Sequence, residues 1–125
     1  MIKLTFIMLG GAIGTLLRYV VSGIDFRFSN GVFPISTLTV NLAGSLVIGF
    51  LWGLFETIAI PSPLRVFIFA GILGGFTTFS TFTLESFNLI RDGDYAIALA
   101  NILLSNIAGI ALVFAGYRLA RTVLA

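Results

Sequence analysis

The feature that most limits the fold is a series of four apolar stretches, each about as long as a bilayer crossing. They cover residues 4–23, 34–55, 64–90 and 95–121, approximately, of a 125-residue chain. One crossing needs about 20 apolar residues. Only 10% of the residues are charged, whereas a soluble domain carries about 25%. Too few charges remain to cover a water-facing surface, so a soluble globular domain and a disordered chain are excluded. A net charge of +2 is too small a bias for a nucleic-acid partner. The expected fold class is an all-α integral membrane protein with four transmembrane helices per subunit. It forms one domain, residues 1–125, with the lipid bilayer as solvent.

Punctuation between the stretches agrees. Asp25 to Asn30 is polar and turn-like. Pro34 suits a helix start, Glu56 and Pro61-Ser62-Pro63 end the second stretch, and Arg91-Asp92-Gly93-Asp94 closes the third. The first stretch makes a poor cleavable leader, because it carries Arg18 and lacks a small-x-small site. Chemistry is limited by what is missing. There is no Cys and no His, hence no thiolate, no usual zinc site and no imidazole acid–base pair. No nucleophile–base constellation is visible, so the chain is not expected to be an enzyme.

Four crossings put both termini on one side. Lys3, Arg65, Arg118 and Arg121 then share that side, and Arg18, Arg27 and Arg91 share the other. Lys/Arg bias orients membrane proteins, and a bias of one basic residue barely does so. Insertion both ways, giving an antiparallel, dual-topology homodimer, is the expectation. Four helices also leave little room for a polar route inside one subunit, whereas a subunit interface supplies one. Gly10-x-x-x-Gly14 and Gly49-x-x-x-Gly53 permit close helix contact, either within a subunit or between two.

The third stretch is unusual. Residues 71–83 hold three Gly and five Ser/Thr. Paired Gly weakens a helix, and hydroxyl side chains compete for backbone groups. A break mid-membrane is expected. The alternative is a continuous helix with a small, polar packing face. Irregular backbone at membrane depth persists only when buried in protein or lining a cavity. Freed carbonyls there suit a cation, and half-helix N-termini favour anions. Phe76, Phe79 and Phe82 recur every three residues among these hydroxyls. Such a stripe can be core or lipid-facing surface. It can also offer electropositive ring edges to an anion.

Other crossings carry polar tracks. Thr37, Asn41 and Ser45 share a helix face at i, i+4 and i+8, and Asn101, Ser105 and Gly109 do the same. Each residue alone can serve as interhelical glue; two aligned tracks favour a polar pathway. Arg18 is placed to attract anions at an entrance or to snorkel to headgroups. Glu85 is placed to bond within a pathway, to pair with a base, or to couple protons.

Taken together, Gly74-Gly75-Phe76-Thr77-Thr78-Phe79-Ser80-Thr81-Phe82 closely resembles the signature of the Fluc (CrcB-type) fluoride channels. Gly14 with Arg18-Tyr19, Ser36-Thr37-Leu38 leading to Asn41 and Gly44, and Glu85 agree in order and spacing. The resemblance covers essentially the whole chain. It implies a passive fluoride channel of the cell (inner) membrane, a dual-topology homodimer that relieves fluoride toxicity. It implies a structural sodium ion, not transported, held by the backbone carbonyls of Gly74 and Thr77 from both subunits. Phe79 and Phe82 would line the fluoride pathway with ring edges. Asn41, Ser80 and Thr81 would be their polar partners, Ser105 would continue the track, and Arg18 would sit near a vestibule. Glu85 and Asn101 would have supporting roles. Many members carry Tyr where this chain has Asn101, which keeps a hydrogen-bonding group and loses an aromatic contact.

The chemistry fits a small, strongly hydrated anion. Amide and hydroxyl donors with ring edges replace hydration, whereas a fixed buried cation would hold the anion too tightly to release it. The rival reading is a small multidrug-type, proton-coupled cation exporter, also four-spanned. That class depends on an acid in the first crossing, where this chain has Arg18 and no acid. A non-transporting assembly subunit would need no aligned polar tracks.

Overall fold

The computed structural model describes residues 1–23 and 32–124. The turn expected at Asp25 to Asn30 lies outside the described residues. Helix α1 covers Ile2–Ser22 and α2 covers Ile35–Phe55, with Pro34 at its N-cap. The third span is composite. Helix α3, Ser62–Val66, widens into a π-helical segment, Phe67–Leu73. That segment tightens into α4, Gly74–Phe76, and α5 follows as Phe79–Arg91. The fourth span is α6, Tyr95–Leu103, a π-helical segment, Leu104–Ala108, and α7, Gly109–Val123.

The four spans Ile2–Ser22, Ile35–Phe55, Ser62–Arg91 and Tyr95–Val123 are long and apolar enough to cross a bilayer. At most 22% of the apolar window of any span is buried inside the chain. Leu16, Val20, Phe87, Ile107 and Phe114 are among the large apolar residues left exposed. A surface of that kind is stable only against lipid or protein. Val40 and Asn101 are the largest fully buried side chains.

Two helix pairs make the body of the fold, and glycines set both. Span one lies along the first half of span three. A Cβ at Gly10 would crowd the Phe67 carbonyl and Gly71, and one at Gly14 would overlap the Ile72 carbonyl. Span two lies along α7, where a Cβ at Gly49 would overlap the Val113 carbonyl and one at Gly53 would press on Tyr117 and Ala120. Both Gly-x-x-x-Gly patterns therefore pack helices within one chain, by the close backbone approach that small residues allow in membranes. Rings fill the flanks. Phe6 meets Phe67 edge-to-face at 5.8 Å, and Trp52 and Phe55 meet Phe69 at 6.0 and 5.9 Å. These are favoured aromatic geometries.

At one end, Glu56 joins span two to span four. It accepts from Trp52 Nε1 at 3.1 Å and from the Tyr117 hydroxyl at 2.9 Å. The Arg65 guanidinium lies 5.9 Å from the centroid of the Trp52 ring. At the other end, Gly93 adopts φ +90°. Its N–H donates to Ile90 at 3.2 Å, and that of Asp94 donates to Leu89 at 2.8 Å. This pairing is the Schellman stop, which favours Gly at the left-handed position. Asp92 follows the span. Its hydrogen bond with the Arg91 guanidinium, 2.8 Å from Nε, holds its carboxyl below the usual carboxylate range.

Candidate functional site: an interrupted helix clamped by an asparagine

Regular helix stops at Phe76 and resumes at Phe79. Thr77 has φ −80°, ψ 156° and Thr78 has φ −148°, ψ 120°, both extended. Two such residues remove helical hydrogen bonds, and buried backbone groups need replacements. The Thr77 N–H still reaches the Leu73 carbonyl at 3.0 Å, and its hydroxyl joins it there at 2.8 Å. At Thr78 a side chain supplies the replacements. The Thr78 N–H donates to Asn41 Oδ1 at 2.9 Å, and Asn41 Nδ2 donates to the Thr78 carbonyl at 3.0 Å. One amide side chain on span two thus satisfies both backbone groups of the buried Thr78.

Thr78 also starts the next helix. Its Oγ1 accepts the Thr81 N–H at 3.2 Å and lies 3.0 Å from the Thr81 hydroxyl, to which it donates. This is an N-cap, the position where Thr is favoured. Thr78 Oγ1 is also 3.5 Å from Ser80 Oγ. The N-terminus of the 13-residue α5, with its partial positive charge, therefore opens among hydroxyls.

The same bonds release two carbonyls. In a continuous helix the Thr78 N–H would close onto the Gly74 carbonyl, and the Thr81 N–H onto Thr77. Asn41 takes the first donor and Thr78 Oγ1 takes the second. Gly74 and Thr77 thus carry carbonyl oxygens whose helical donors are diverted. Hard oxygen dipoles of this kind suit a hard cation.

A cavity of about 410 Å³ lies beside the interruption, against Asn41, Ser45, Gly74, Thr77, Thr78 and Phe79. Gly44 is needed there because a Cβ would overlap the Thr77 methyl. Phe79 is 77% exposed and Phe82 only 8%, although their rings are 5.8 Å apart at 45°. Ser80 and Thr81 are exposed. Of the expected pathway residues, Asn41 and Phe79 meet at the cavity, together with the expected cation ligands Gly74 and Thr77. Phe82, Ser80, Thr81 and Ser105 do not line it. Arg18 is half-buried near the end of α1, a helix that contributes nothing to the cavity wall.

Two further polar links were only partly foreseen. The Thr37 hydroxyl donates to Glu85 Oε1 at 2.7 Å, tying α2 to α5 one turn before Asn41. Asn101, 1% exposed, turns toward span three: its Nδ2 donates to Ser86 Oγ at 3.1 Å. Ser45 donates to the Asn41 carbonyl at 2.8 Å. Thr78 and Ser86 were missed as site residues. The favoured use of Thr at helix starts points to Thr78. Nothing local points to Ser86.

Four apolar crossings, one of them interrupted beside a cavity, define a multi-pass integral membrane protein. Residues 5–117 match the family model described as CrcB-like protein, Camphor Resistance (CrcB), and the chain belongs to that CrcB family. It is 44% identical over 124 residues to the fluoride-specific ion channel FluC of Parabacteroides distasonis, covering 99% of this chain and 97% of the relative. The fluoride-specific ion channel FluC of Desulforapulum autotrophicum is 42% identical over 122 residues, 97% and 98% of the two chains. That of Thermococcus kodakarensis is 46% identical over 116 residues, 92% and 93%.

Proposed function

We propose that the chain is a passive fluoride-selective channel of the cell (inner) membrane that exports fluoride and relieves its toxicity. It works as an antiparallel, dual-topology homodimer. The observation that carries the reading is the Asn41–Thr78 clamp, seen in a chain whose relatives are named fluoride-specific channels over nearly their full length. A clamped interruption at mid-membrane presents hydroxyls, a half-helix N-terminus and an exposed Phe ring at one spot. A small anion meets donors and ring edges there, with no Lys or Arg among the cavity-lining residues to trap it.

The exposed Phe79 and the cavity beside it, which a second copy would close into a route, support the homodimer. Near-equal basic charge on the two sides supports insertion both ways. The Gly74 and Thr77 carbonyls of both copies would hold a structural sodium ion, whose positive field favours an anion nearby. The residues fit that role, because their helical donors are diverted. Asn41, Ser80 and Thr81 would donate to fluoride, Phe79 and Phe82 would offer ring edges, and Ser105 would extend the route. Arg18 would draw anions to the vestibule, with Glu85 and Asn101 holding the frame. The acid that a proton-coupled cation exporter would need, Glu85, accepts from Thr37 in this arrangement.

The test is efflux from liposomes holding purified protein, followed with a fluoride electrode. Fluoride release without a proton requirement, and slow chloride release, is expected. Proton-coupled movement of organic cations, or no flux, would overturn the proposal.

A further inference from the structure

We infer that Asn101 is a positioning residue: through Ser86 it sets the turn of α5 that carries Phe82, and thereby the stance of the exposed Phe79 ring. The inference rests on the proposed role of these rings in the fluoride route.

Three consecutive contacts link span four to that ring. Asn101 Nδ2 donates to Ser86 Oγ at 3.1 Å. Ser86 Oγ donates to the Phe82 carbonyl at 2.8 Å, one turn back along its own helix. The Phe82 ring lies 5.8 Å from that of Phe79. Burial gives the link its stiffness. Asn101 is 1% exposed, Ser86 5% and Phe82 8%, whereas Phe79 is 77% exposed. Three buried groups therefore hold one exposed ring. A Ser that bonds back to its helix carbonyl bends the helix there, so whatever orients its hydroxyl sets the turn. Asn101 orients that hydroxyl from the neighbouring span, 15 residues away. Its own Oδ1 is buried and makes no protein hydrogen bond. The amide therefore reaches its protein partner through the donor alone, whereas a carboxylate at this position could only accept and would draw the Ser86 proton away from the Phe82 carbonyl.

The experiment uses the full chain in liposomes and detergent, with 4-fluorophenylalanine at position 79 as a ¹⁹F probe. Asn101→Leu and Ser86→Ala should each shift the probe resonance in the same direction. Each should slow fluoride efflux about tenfold, the scale of one lost buried hydrogen bond. The double variant should be no slower than the slower single one, because both changes cut the same link. An unmoved resonance in both single variants, or additive losses in the double variant, would overturn the inference. Should Asn101→Leu fail to assemble, Ser86→Ala decides alone: a shifted resonance supports the link and an unmoved one overturns it. The resonance does not depend on transport. Absent flux in the parent protein would overturn the proposed function, while the resonance would still decide whether Asn101 positions the ring.

Discussion

The side-chain amide of Asn41 hydrogen-bonds both backbone groups of Thr78, donating at 3.0 Å and accepting at 2.9 Å across a sequence separation of 37 residues. That double bond lets a membrane helix stay open for two residues without orphaned backbone. Replacing Asn41 with Leu leaves two buried groups unsatisfied, each worth about 1–3 kcal/mol. Asn41→Leu should lower the unfolding temperature in detergent and abolish fluoride flux together. Unchanged unfolding would show that the clamp is dispensable.

Phe79 and Phe82 should differ in how much stability each change costs. Phe79 is largely exposed in one chain and Phe82 is buried. Phe79→Ile is expected to cut fluoride efflux while leaving dimer assembly on size exclusion intact. Phe82→Ala removes a core ring and should destabilise by about 3–5 kcal/mol. Full flux in Phe79→Ile would remove its ring edge from the route.

Thr37→Val keeps shape and deletes the hydroxyl that donates to Glu85 Oε1. Loss of this hydrogen bond should destabilise by about 1 kcal/mol. Thermal unfolding compared with Thr37→Ser, which keeps the donor, checks this. Equal losses in Val and Ser would place the effect in packing.

Neighbouring glycines on α1 should respond oppositely. A Cβ at Gly14 would overlap the Ile72 carbonyl, whereas one at Gly11 meets nothing within 4 Å. Gly11→Ala should be neutral or slightly stabilising, and Gly14→Ala should separate spans one and three and lower the yield of folded protein. Size exclusion of the two variants side by side decides the matter. Equal behaviour would contradict the observed helix contact.

Gly93 stands at φ +90° with open space around it, so an added methyl group acts through backbone conformation alone. Gly93→Ala should destabilise by about 1 kcal/mol, and Gly93→Asn by less, because Asn tolerates the left-handed region. Melting curves of the pair test this.

Much of the molecule is legible from the residues. The four spans show in apolar length, and the interruption shows in the Gly and Thr of residues 71–83. Asn41 stands out as a polar residue on an apolar helix. Its partner does not, because Thr78 is one hydroxyl among five. The π-helical segments at Phe67–Leu73 and Leu104–Ala108 have no local signature, since each depends on the packing of a neighbouring helix. The two Gly-x-x-x-Gly patterns were equally compatible with contact inside and between chains. Backbone carbonyls of Phe67, Ile72 and Val113 occupy the spaces beside them.

The amino-acid sequence by itself determined the solvent and the number of crossings, because transfer of apolar side chains out of water is nearly additive along the chain. It also determined where the third helix is weak, because Gly and Thr act on their own backbone. The tertiary structure alone decided how that weakness is used. Which amide reaches Thr78, and so takes the donor of the Gly74 carbonyl, and which hydroxyl Asn101 orients depend on residues 37 and 15 positions apart meeting within hydrogen-bond distance. Such meetings follow from helix packing, a property that no single segment carries.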